Sequence, residues 1–188
     1  RSETLQEFVD ETNAIIIHPY DNNKIIAGQG TCALEVLEDL TELDVFMAPV
    51  GGGGLISGCA VAVRGQETEG RKIRVIAAEP ELADDAYRSM QSGKVEPPSP
   101  PKTIGDGLRA GICERTFRHM QEHDVEVLTC SEDGIRKAQK LIMSRLKVVV
   151  EPSGAVPLAV VVEHLEAFKG RKVGLALSGG NAEPEATH

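Results

Sequence analysis

The sequence predicts an α/β fold: a three-layer structure in which helices cover both faces of an open, mostly parallel sheet. Two observations favour this fold class. Short apolar runs alternate with longer segments of helical periodicity, and several of the apolar runs are uninterrupted. Uninterrupted apolar strands are typical of parallel sheets, whose two faces are both buried. Their alternation with helices implies right-handed crossover connections.

Each element is predicted from its local pattern. Short β-branched, apolar runs predict five strands, at Ala14 to Ile17, Asp44 to Val50, Ile73 to Ala78, Val125 to Leu128 and Lys172 to Leu177. Apolar residues at helical spacing predict six helices, at Thr31 to Leu40, Leu55 to Arg64, Ala83 to Met90, Glu114 to His123, Glu132 to Leu146 and Gly154 to Phe168. The segment Val95 to Pro101 contains four prolines and is expected to form a surface loop.

Composition limits the classes of function. The chain has 188 residues, 41% of them apolar, which is enough for one sizeable core. Its 20 Lys and Arg residues against 29 Asp and Glu residues give a net charge of −9, which argues against nucleic-acid partners and anionic membranes. No apolar run has the length of a transmembrane helix. The four widely spaced cysteines match neither a zinc site nor a redox pair, so reduced thiols and a cytoplasmic protein are expected.

A run of four glycines is the most informative motif. The apolar strand that ends at Val50 leads directly into Gly51 to Gly54, and an apolar helical segment follows from Leu55. Glycine lets successive backbone N–H groups converge without interference from a Cβ atom, and a helix N-terminus favours an anion. The motif therefore predicts a phosphate-binding loop.

Unusual residues follow other predicted strands as well. His18-Pro19, Glu79-Pro80 and Ser178-Gly179-Gly180-Asn181 each follow a predicted strand directly. In open α/β sheets, ligands bind beyond the carboxyl ends of the strands. Two glycine-rich strand exits in one sheet indicate that a ligand approaches the backbone closely. His18 is expected to end a strand rather than to act as a base.

A dinucleotide is one candidate ligand. Glu79 stands about where the ribose-binding carboxylate of a Rossmann unit lies. The glycine spacing fits poorly, because Ser57 takes the position of the third glycine of that fingerprint. A P-loop fits less well still, since no Gly-Lys-Ser/Thr follows the glycines.

Five motifs, in order along the chain, resemble one enzyme family. They are Pro49-Val50-Gly51-Gly52-Gly53-Gly54-Leu55, Ala78-Glu79-Pro80, Thr103-Ile104-Gly105-Asp106-Gly107, Val150-Glu151-Pro152-Ser153-Gly154-Ala155 and Leu177-Ser178-Gly179-Gly180-Asn181. From about Ile15 to Asn181 the sequence is similar to the serine racemase and threonine/serine dehydratase group of fold type II pyridoxal-phosphate (PLP) enzymes. The resemblance implies an incomplete large cofactor domain of the tryptophan synthase β-like fold. Residues 1–14 would end the small substrate domain, and residues 15–188 would form the carboxyl-terminal part of the large domain.

The resemblance also implies which residues contact the cofactor. In this family the tetraglycine loop binds the cofactor phosphate and a serine faces the pyridine nitrogen. Cofactor contacts are therefore expected at Gly51, Gly52, Gly53, Gly54, Leu55, Gly107, Ser178 and Gly179. For Gly107 a plain turn, and for Ser178 a helix cap or turn, are the competing interpretations.

The chemistry of a serine at that position points to a reaction type. A neutral hydroxyl can hydrogen-bond the pyridine nitrogen but, unlike a carboxylate, does not stabilise its protonated form. The ring is then a mild electron sink, which suits removal of an α-proton with loss of a β-hydroxyl, or reprotonation on the other face. The resemblance thus implies a dehydratase (ammonia-lyase) or racemase for L-serine, L-threonine or 3-hydroxyaspartate.

The segment that starts at Glu79 resembles the divalent-cation segment of serine racemases. The resemblance implies metal ligands at the carboxylates of Glu79 and Asp85 and at the backbone carbonyl of Ala83. Oxygen ligands favour Mg²⁺, with Ca²⁺ and Mn²⁺ as alternatives. The competing interpretation is an acidic first helical turn in which Asp84 and Asp85 are solvated.

The catalytic residues are incomplete in this chain. Glu151 matches a family carboxylate near the cofactor, with a buried, paired acid as the competing interpretation. Family members bind the cofactor covalently through the lysine of an upstream Ser-x-Lys motif, and no lysine of this chain is expected to play that part. The chain is therefore expected to be the carboxyl-terminal portion of a longer, homodimeric enzyme. A catalytically inactive PLP- or nucleotide-binding module is the alternative.

Overall fold

The computed structural model describes residues 2–67, 72–100 and 102–182. In this part of the chain the helices are α1 (Ser2–Thr12), α2 (Asn23–Gln29), α3 (Thr31–Asp39), α4 (Gly54–Gln66), α5 (Asp85–Ser92), α6 (Glu114–Glu122), α7 (Glu132–Leu146), α8 (Pro152–Glu163) and α9 (Leu165–Phe168). The strands are β1 (Val45–Pro49), β2 (Arg74–Pro80), β3 (Val125–Cys130) and β4 (Val173–Leu175). Short 3-10 helices occupy Glu81–Ala83 and Asp106–Leu108.

The strands of the described residues form one parallel sheet in the order β3-β2-β1-β4. Strand β1 is central: Val45 lies opposite Arg74 of β2 on one side and opposite Val173 of β4 on the other. All five residues of β1 are buried, because strands flank both of its edges and helices cover both of its faces. The α/β class and the parallel sheet predicted from the sequence are confirmed.

Alternate residues of the central strand point into two separate cores. Phe46 and Ala48 belong to a cluster with the buried faces of α3, α4 and α6. Val45 and Met47 belong to a second cluster with α7 and α8. Because successive side chains of a strand point to opposite faces, β1 contributes to both cores. The predicted three layers follow from this arrangement.

The strand predicted at Ala14 to Ile17 is wrong. Residues 13–18 form neither helix nor strand, and Ile15 and Ile17 are 88% and 65% exposed. A β-branched run becomes a strand only where a neighbouring strand supplies hydrogen bonds. Within the described residues, the sheet contains no strand that pairs with this segment.

The predicted helices are confirmed, with changes at some of their ends. The helix predicted at Ala83 to Met90 becomes α-helical only at Asp85, after a 3-10 turn. The helix predicted at Gly154 to Phe168 begins at Pro152, whose fixed φ suits a first helical position, and it is interrupted at His164. Helices α1 and α2 escape prediction because neither has a long apolar stripe.

The proline-rich loop has no regular structure over residues 95–100, as predicted, and Pro101 lies outside the described residues. Arg88 fixes this loop by donating to the Pro97 carbonyl at 2.9 Å. The span 15–188 expected for the large domain extends past the last described residue, 182. Among the residues described, no helix combines the length and the apolar character needed to cross a membrane.

Candidate functional site

Three of the predicted ligand segments meet along one edge of the sheet. Strand β1 lies between β2 and β4, and all three run in the same direction, so their carboxyl ends lie side by side. Gly51 to Gly54 follow β1, Glu79 lies near the end of β2, and Ser178 follows β4. This is the edge at which open α/β sheets bind their ligands.

The tetraglycine loop, Gly51 to Gly54, turns the chain from β1 into α4. Gly52, Gly53 and Gly54 are buried, and Gly53 has a φ of +85°, a left-handed conformation that favours glycine. Helix α4 begins at Gly54, so the N–H groups of its first turn have no carbonyl partner within the helix. The positive end of the helix dipole adds to these donors. The loop can therefore bind an anion through backbone groups alone.

Neighbouring segments pack directly against the glycines. A Cβ atom at Gly51 would lie 3.0 Å from the Leu108 Cα. One at Gly53 would lie 2.8 Å from the Thr116 Cβ. Since these neighbours belong to a packed core, a side chain at either position would displace them.

The first turn of α8 connects the two other glycine-containing segments. The Gly107 N–H donates to the Ser153 Oγ at 3.0 Å, and the Glu151 N–H donates to the Gly179 carbonyl at 3.1 Å. A Cβ atom at Gly154 would approach the same Gly179 oxygen to 3.0 Å. Because the Gly107 segment also contacts the tetraglycine loop, α8 links all three glycine segments.

Polar side chains are accessible at this edge, among them those of Ser178 and Glu151. Ser178 is exposed just beyond β4, and Glu151 is partly exposed at the N-terminus of α8. The Glu151 carboxylate lies against Gly179, where a Cβ atom would overlap its Oε1. Glu151 is therefore not the buried acid of the competing interpretation. The edge thus offers a hydroxyl, a carboxylate and unpaired helix N–H groups.

Comparisons with known proteins identify the family to which this arrangement corresponds. The model of a family described as "Pyridoxal-phosphate dependent enzyme" matches residues 1–179. The chain belongs to this family of PLP enzymes. A beta-hydroxyaspartate dehydratase from Paracoccus denitrificans (strain Pd 1222) is 44% identical over 183 residues, which are 97% of this chain and 57% of that protein. The chain thus spans about half the length of the curated relatives it matches.

Solved structures of serine racemases share the fold. Maize serine racemase superposes with a TM-score of 0.92 and 37% identity, over 99% of this chain and 58% of that one. The serine racemase of Dictyostelium discoideum gives a TM-score of 0.87 and 38% identity, over 97% and 59%. The resemblance to fold type II PLP enzymes that five sequence motifs indicated is confirmed.

The edge of the sheet has backbone groups that fit the phosphate of a PLP cofactor. Among the described residues, no lysine is evident there that would bind the cofactor covalently. The backbone N–H groups of the tetraglycine loop suit a phosphate group. The triplet Ser92-Gly93-Lys94 matches the family's Ser-x-Lys pattern by its letters. However, the Lys94 side chain is 74% exposed and faces Glu96 at 3.6 Å. This is the setting of a surface lysine.

Two acidic residues of the predicted divalent-cation segment, Glu79 near the end of β2 and Asp85 at the start of α5, are buried rather than solvated. Glu79 and Asp85 are 1% and 4% exposed. The Glu79 carboxylate accepts the N–H groups of Ala86 and Tyr87 at 2.9 and 2.8 Å. The Asp85 Oδ2 accepts the N–H of Ile112 at 2.9 Å. The interpretation of Asp85 as a solvated residue of the first turn is therefore wrong.

Burial sets the acidity of both carboxyls. Desolvation raises the pKa of Glu79 to about 8, although its two N–H partners lower it. The nearby Asp85 charge raises it further, and burial likewise raises the pKa of Asp85 itself. In the described ranges no three His, Cys, Asp or Glu side chains form a metal-binding group. A cation here would therefore need backbone or water oxygens beside the two carboxylates.

Three residues of this site have no functional signal in the sequence: Tyr20, Thr116 and Ser153. Thr116 and Ser153 are 0% and 2% exposed, and the Tyr20 ring lies where a Cβ atom of Gly52 would be. Each is distant in sequence from the tetraglycine loop, so no local pattern reveals it. The only sequence signal is the glycine run itself, which indicates close neighbours without identifying them.

Proposed function

We propose that this chain is the cofactor-binding portion of a PLP-dependent ammonia-lyase (dehydratase) or racemase acting on a small hydroxy amino acid. L-Serine, L-threonine and 3-hydroxyaspartate are the candidate substrates. One observation carries the proposal. The tetraglycine loop, with Gly52 to Gly54 buried, leads into α4 and lies beside the exposed Ser178, which follows the neighbouring strand β4. The activity is proposed for this chain completed by an amino-terminal portion, since it spans 57% of the dehydratase it matches.

The backbone of the tetraglycine loop would bind the cofactor phosphate. We assign this role to the N–H groups of Gly51 to Gly54 and of Leu55, at the positive end of α4. Gly107 and Gly179 would line the cofactor pocket with their backbones. Gly107 is not assigned as a donor, because its N–H is already bonded to Ser153.

Ser178 would set the electronic character of the site. When bound, PLP supplies an electron-withdrawing ring that acidifies the α-carbon of an amino acid. The neutral Ser178 hydroxyl would hydrogen-bond the ring nitrogen without stabilising a charge there. Such a site suits loss of a β-hydroxyl with release of ammonia and a 2-oxo acid, or return of a proton to Cα. Glu151, partly exposed beside Gly179, would orient the substrate or a water molecule.

We further propose a divalent cation, Mg²⁺ or alternatively Ca²⁺ or Mn²⁺, at Glu79, Asp85 and the Ala83 carbonyl. A cation would offset the desolvation that raises the pKa of both buried carboxyls. Thermal unfolding tests this: MgCl₂ should raise the unfolding midpoint of the EDTA-treated wild type and leave that of Asp85→Asn unchanged. A wild-type midpoint that responds to none of the three cations would contradict the site.

Exposed apolar residues support the proposed division into domains and the proposed dimer. Helix α1 is largely exposed, with Leu5 and Phe8 at 48% and 57%, which supports residues 1–14 as the end of a small domain and 15–188 as part of the large one. Leu146 and Val149 are 61% and 63% exposed and are candidates for burial in a homodimer. Sedimentation of the complete enzyme tests the dimer.

The cysteines support a cytoplasmic location. All four are free, and burial raises the pKa of Cys59 and Cys130 to about 12. Free, unreactive thiols are typical of proteins in reducing compartments. Fractionation of cells that produce the complete enzyme tests this location.

Complementation tests the proposed activity. We would first titrate the chain with PLP, and then mix it with the amino-terminal portion of the Paracoccus denitrificans dehydratase. Ammonia and 2-oxo acid released from L-serine, L-threonine or 3-hydroxyaspartate, or D-serine formed from L-serine, would support the enzyme. PLP binding without turnover would indicate an inactive module, and binding of NAD in place of PLP would indicate a nucleotide-binding one.

A further inference from the structure

Tyr20 lies directly on the tetraglycine loop. Its ring occupies the space in which a Cβ atom of Gly52 would stand. The Tyr20 Cβ lies 2.8 Å, and its Cα 3.1 Å, from the position of a Cβ atom on Gly54. One aromatic residue therefore covers two of the four glycines. Desolvation in this setting raises the pKa of the Tyr20 hydroxyl.

The segment that carries Tyr20 is fixed at both ends. The His18 Nδ1 accepts the Asp21 N–H at 2.9 Å, and the His18 ring meets the Tyr20 ring edge-on at 4.6 Å between centroids. Arg115 of α6 donates to the Asp21 Oδ1 at 2.7 Å and to the Asn23 Oδ1 at 2.8 Å. His18 thus caps a turn, and Arg115 ties that turn to α6.

The next residue of α6 supports the same loop. Thr116 is fully buried, and its Oγ1 lies 2.9 Å from the position of a Cβ atom on Gly53. The Thr116 hydroxyl is itself held by the Cys113 N–H at 3.1 Å. The backbone carbonyl of Thr116 accepts a hydrogen bond from the Ser57 hydroxyl of α4 at 3.3 Å. The first turn of α6 therefore supports the loop through Thr116 and anchors the Tyr20 segment through Arg115.

We propose that Tyr20 is a positioning residue: together with Thr116 it clamps the tetraglycine loop so that its N–H groups converge on a phosphate. This inference rests on the proposed function of the loop. Four consecutive glycines have unusual conformational freedom, and fixing them costs entropy at the moment of binding. A clamp that fixes them beforehand removes that cost from phosphate binding. The ring of Tyr20, rather than its hydroxyl, supplies the contact.

The test compares three forms of this chain: wild type, Tyr20→Leu and the matched control Tyr20→Phe, which keeps the ring. Equilibrium dialysis measures the affinity of each form for PLP and for pyridoxal, which lacks the phosphate. Tyr20→Leu should weaken PLP binding about tenfold and pyridoxal binding less than about twofold. Tyr20→Phe should match the wild type for both compounds. An equal loss for PLP and pyridoxal would overturn the clamp, and so would a loss in Tyr20→Phe as large as in Tyr20→Leu.

Hydrogen exchange separates failure of the clamp from failure of the PLP assignment. Without any ligand, the amides of residues 51–55 should exchange faster in Tyr20→Leu than in the wild type and at the wild-type rate in Tyr20→Phe. Unchanged exchange in Tyr20→Leu overturns the clamp even if the wild type binds no PLP. If Tyr20→Leu does not fold, Arg115→Gln loosens the same segment without contact to the loop. It should accelerate exchange at residues 51–55, and wild-type exchange there would overturn the clamp.

Discussion

The segments that follow β1 (Gly51 to Gly54) and β4 (Ser178 to Asn181) are called here the β1 exit and the β4 exit. Both are rich in glycine, but they are held in different ways. At the β1 exit, Gly52, Gly53 and Gly54 are buried beneath side chains from distant segments. At the β4 exit, Ser178 is exposed, and the loop makes a backbone hydrogen bond in which the Glu151 N–H donates to the Gly179 carbonyl at 3.1 Å.

The difference shows that glycine serves two purposes along one edge of the sheet. At the buried exit it makes room for packed neighbours and for a left-handed backbone, so almost no other residue is tolerated. At the exposed exit it lets the backbone pass close to α8 and leaves one polar side chain accessible. The first exit therefore combines folding with binding, whereas in the second the side chain of Ser178 is exposed and a change there should leave stability largely unaffected.

The largest effect is expected from Gly53→Ala, which tests the buried exit. An alanine at a φ of +85° costs about 1–3 kcal/mol, and its Cβ atom would lie 2.8 Å from the Thr116 Cβ. We expect a lower free energy of unfolding in urea and loss of PLP binding. The control is Gly65→Ala near the end of the same helix, where the new Cβ atom would meet no other part of the chain within 4 Å beyond its neighbours and the helix's own backbone. PLP binding retained in Gly53→Ala would contradict the phosphate assignment.

The carboxyl end of β2 differs from the β1 and β4 exits, because it carries a buried acidic side chain, Glu79. Burial raises the pKa of Glu79 from 4.5 to about 8, so the folded protein keeps a proton that the unfolded chain has lost. The free energy of unfolding of the metal-free protein should therefore fall as pH rises from about 4.5 to about 8. This slope should become much smaller in Glu79→Gln, where the buried Asp85 still contributes, and persist in full in Glu126→Gln, which removes an exposed carboxyl. Equal slopes in both variants would show that Glu79 titrates normally.

Ser153→Ala should lower the free energy of unfolding by an intermediate amount. It removes the hydrogen bond by which α8, which also contacts the β4 exit, holds the Gly107 segment beside the tetraglycine loop. The substitution removes the acceptor of the Gly107 N–H, a contact of 3.0 Å. Loss of such a hydrogen bond costs about 1 kcal/mol in the free energy of unfolding. The exposed Ser144→Ala is the matched control. Urea unfolding of both variants measures the difference, and identical midpoints would show that the link has no energetic weight.

The smallest change in stability is expected from Ser178→Ala at the exposed exit. Its free energy of unfolding should stay within about 0.5 kcal/mol of the wild type, since surface substitutions rarely do more. The affinity for PLP should nevertheless fall by roughly threefold to tenfold, through loss of one hydrogen bond to the ring. Dialysis and urea unfolding on one preparation measure both quantities. A stability loss as large as that of Ser153→Ala would break the distinction between the exits.

Much of the fold could be predicted because its signals are local. Strands such as Val45–Pro49 are uninterrupted apolar runs, and α7 was predicted with its observed bounds, Glu132–Leu146. The run Ala14 to Ile17 has the same composition as a strand but forms none, because strand formation depends on a neighbour and not only on the segment itself. Asp85 likewise looks like a solvated first-turn residue, and only the packing of the Ile112 segment shows that it is buried.

The class of fold, the position of the glycine-rich exits and the family can be predicted from the sequence alone, because strand periodicity and glycine runs are properties of short, continuous segments. Only the packing of the folded chain shows which distant residues hold those exits: Tyr20 and Thr116 against the tetraglycine loop, and Ser153 against Gly107. Packing also accounts for the burial of Glu79 and Asp85. Contacts between segments that are far apart in the chain depend on how the layers pack, and packing leaves no pattern within any one segment.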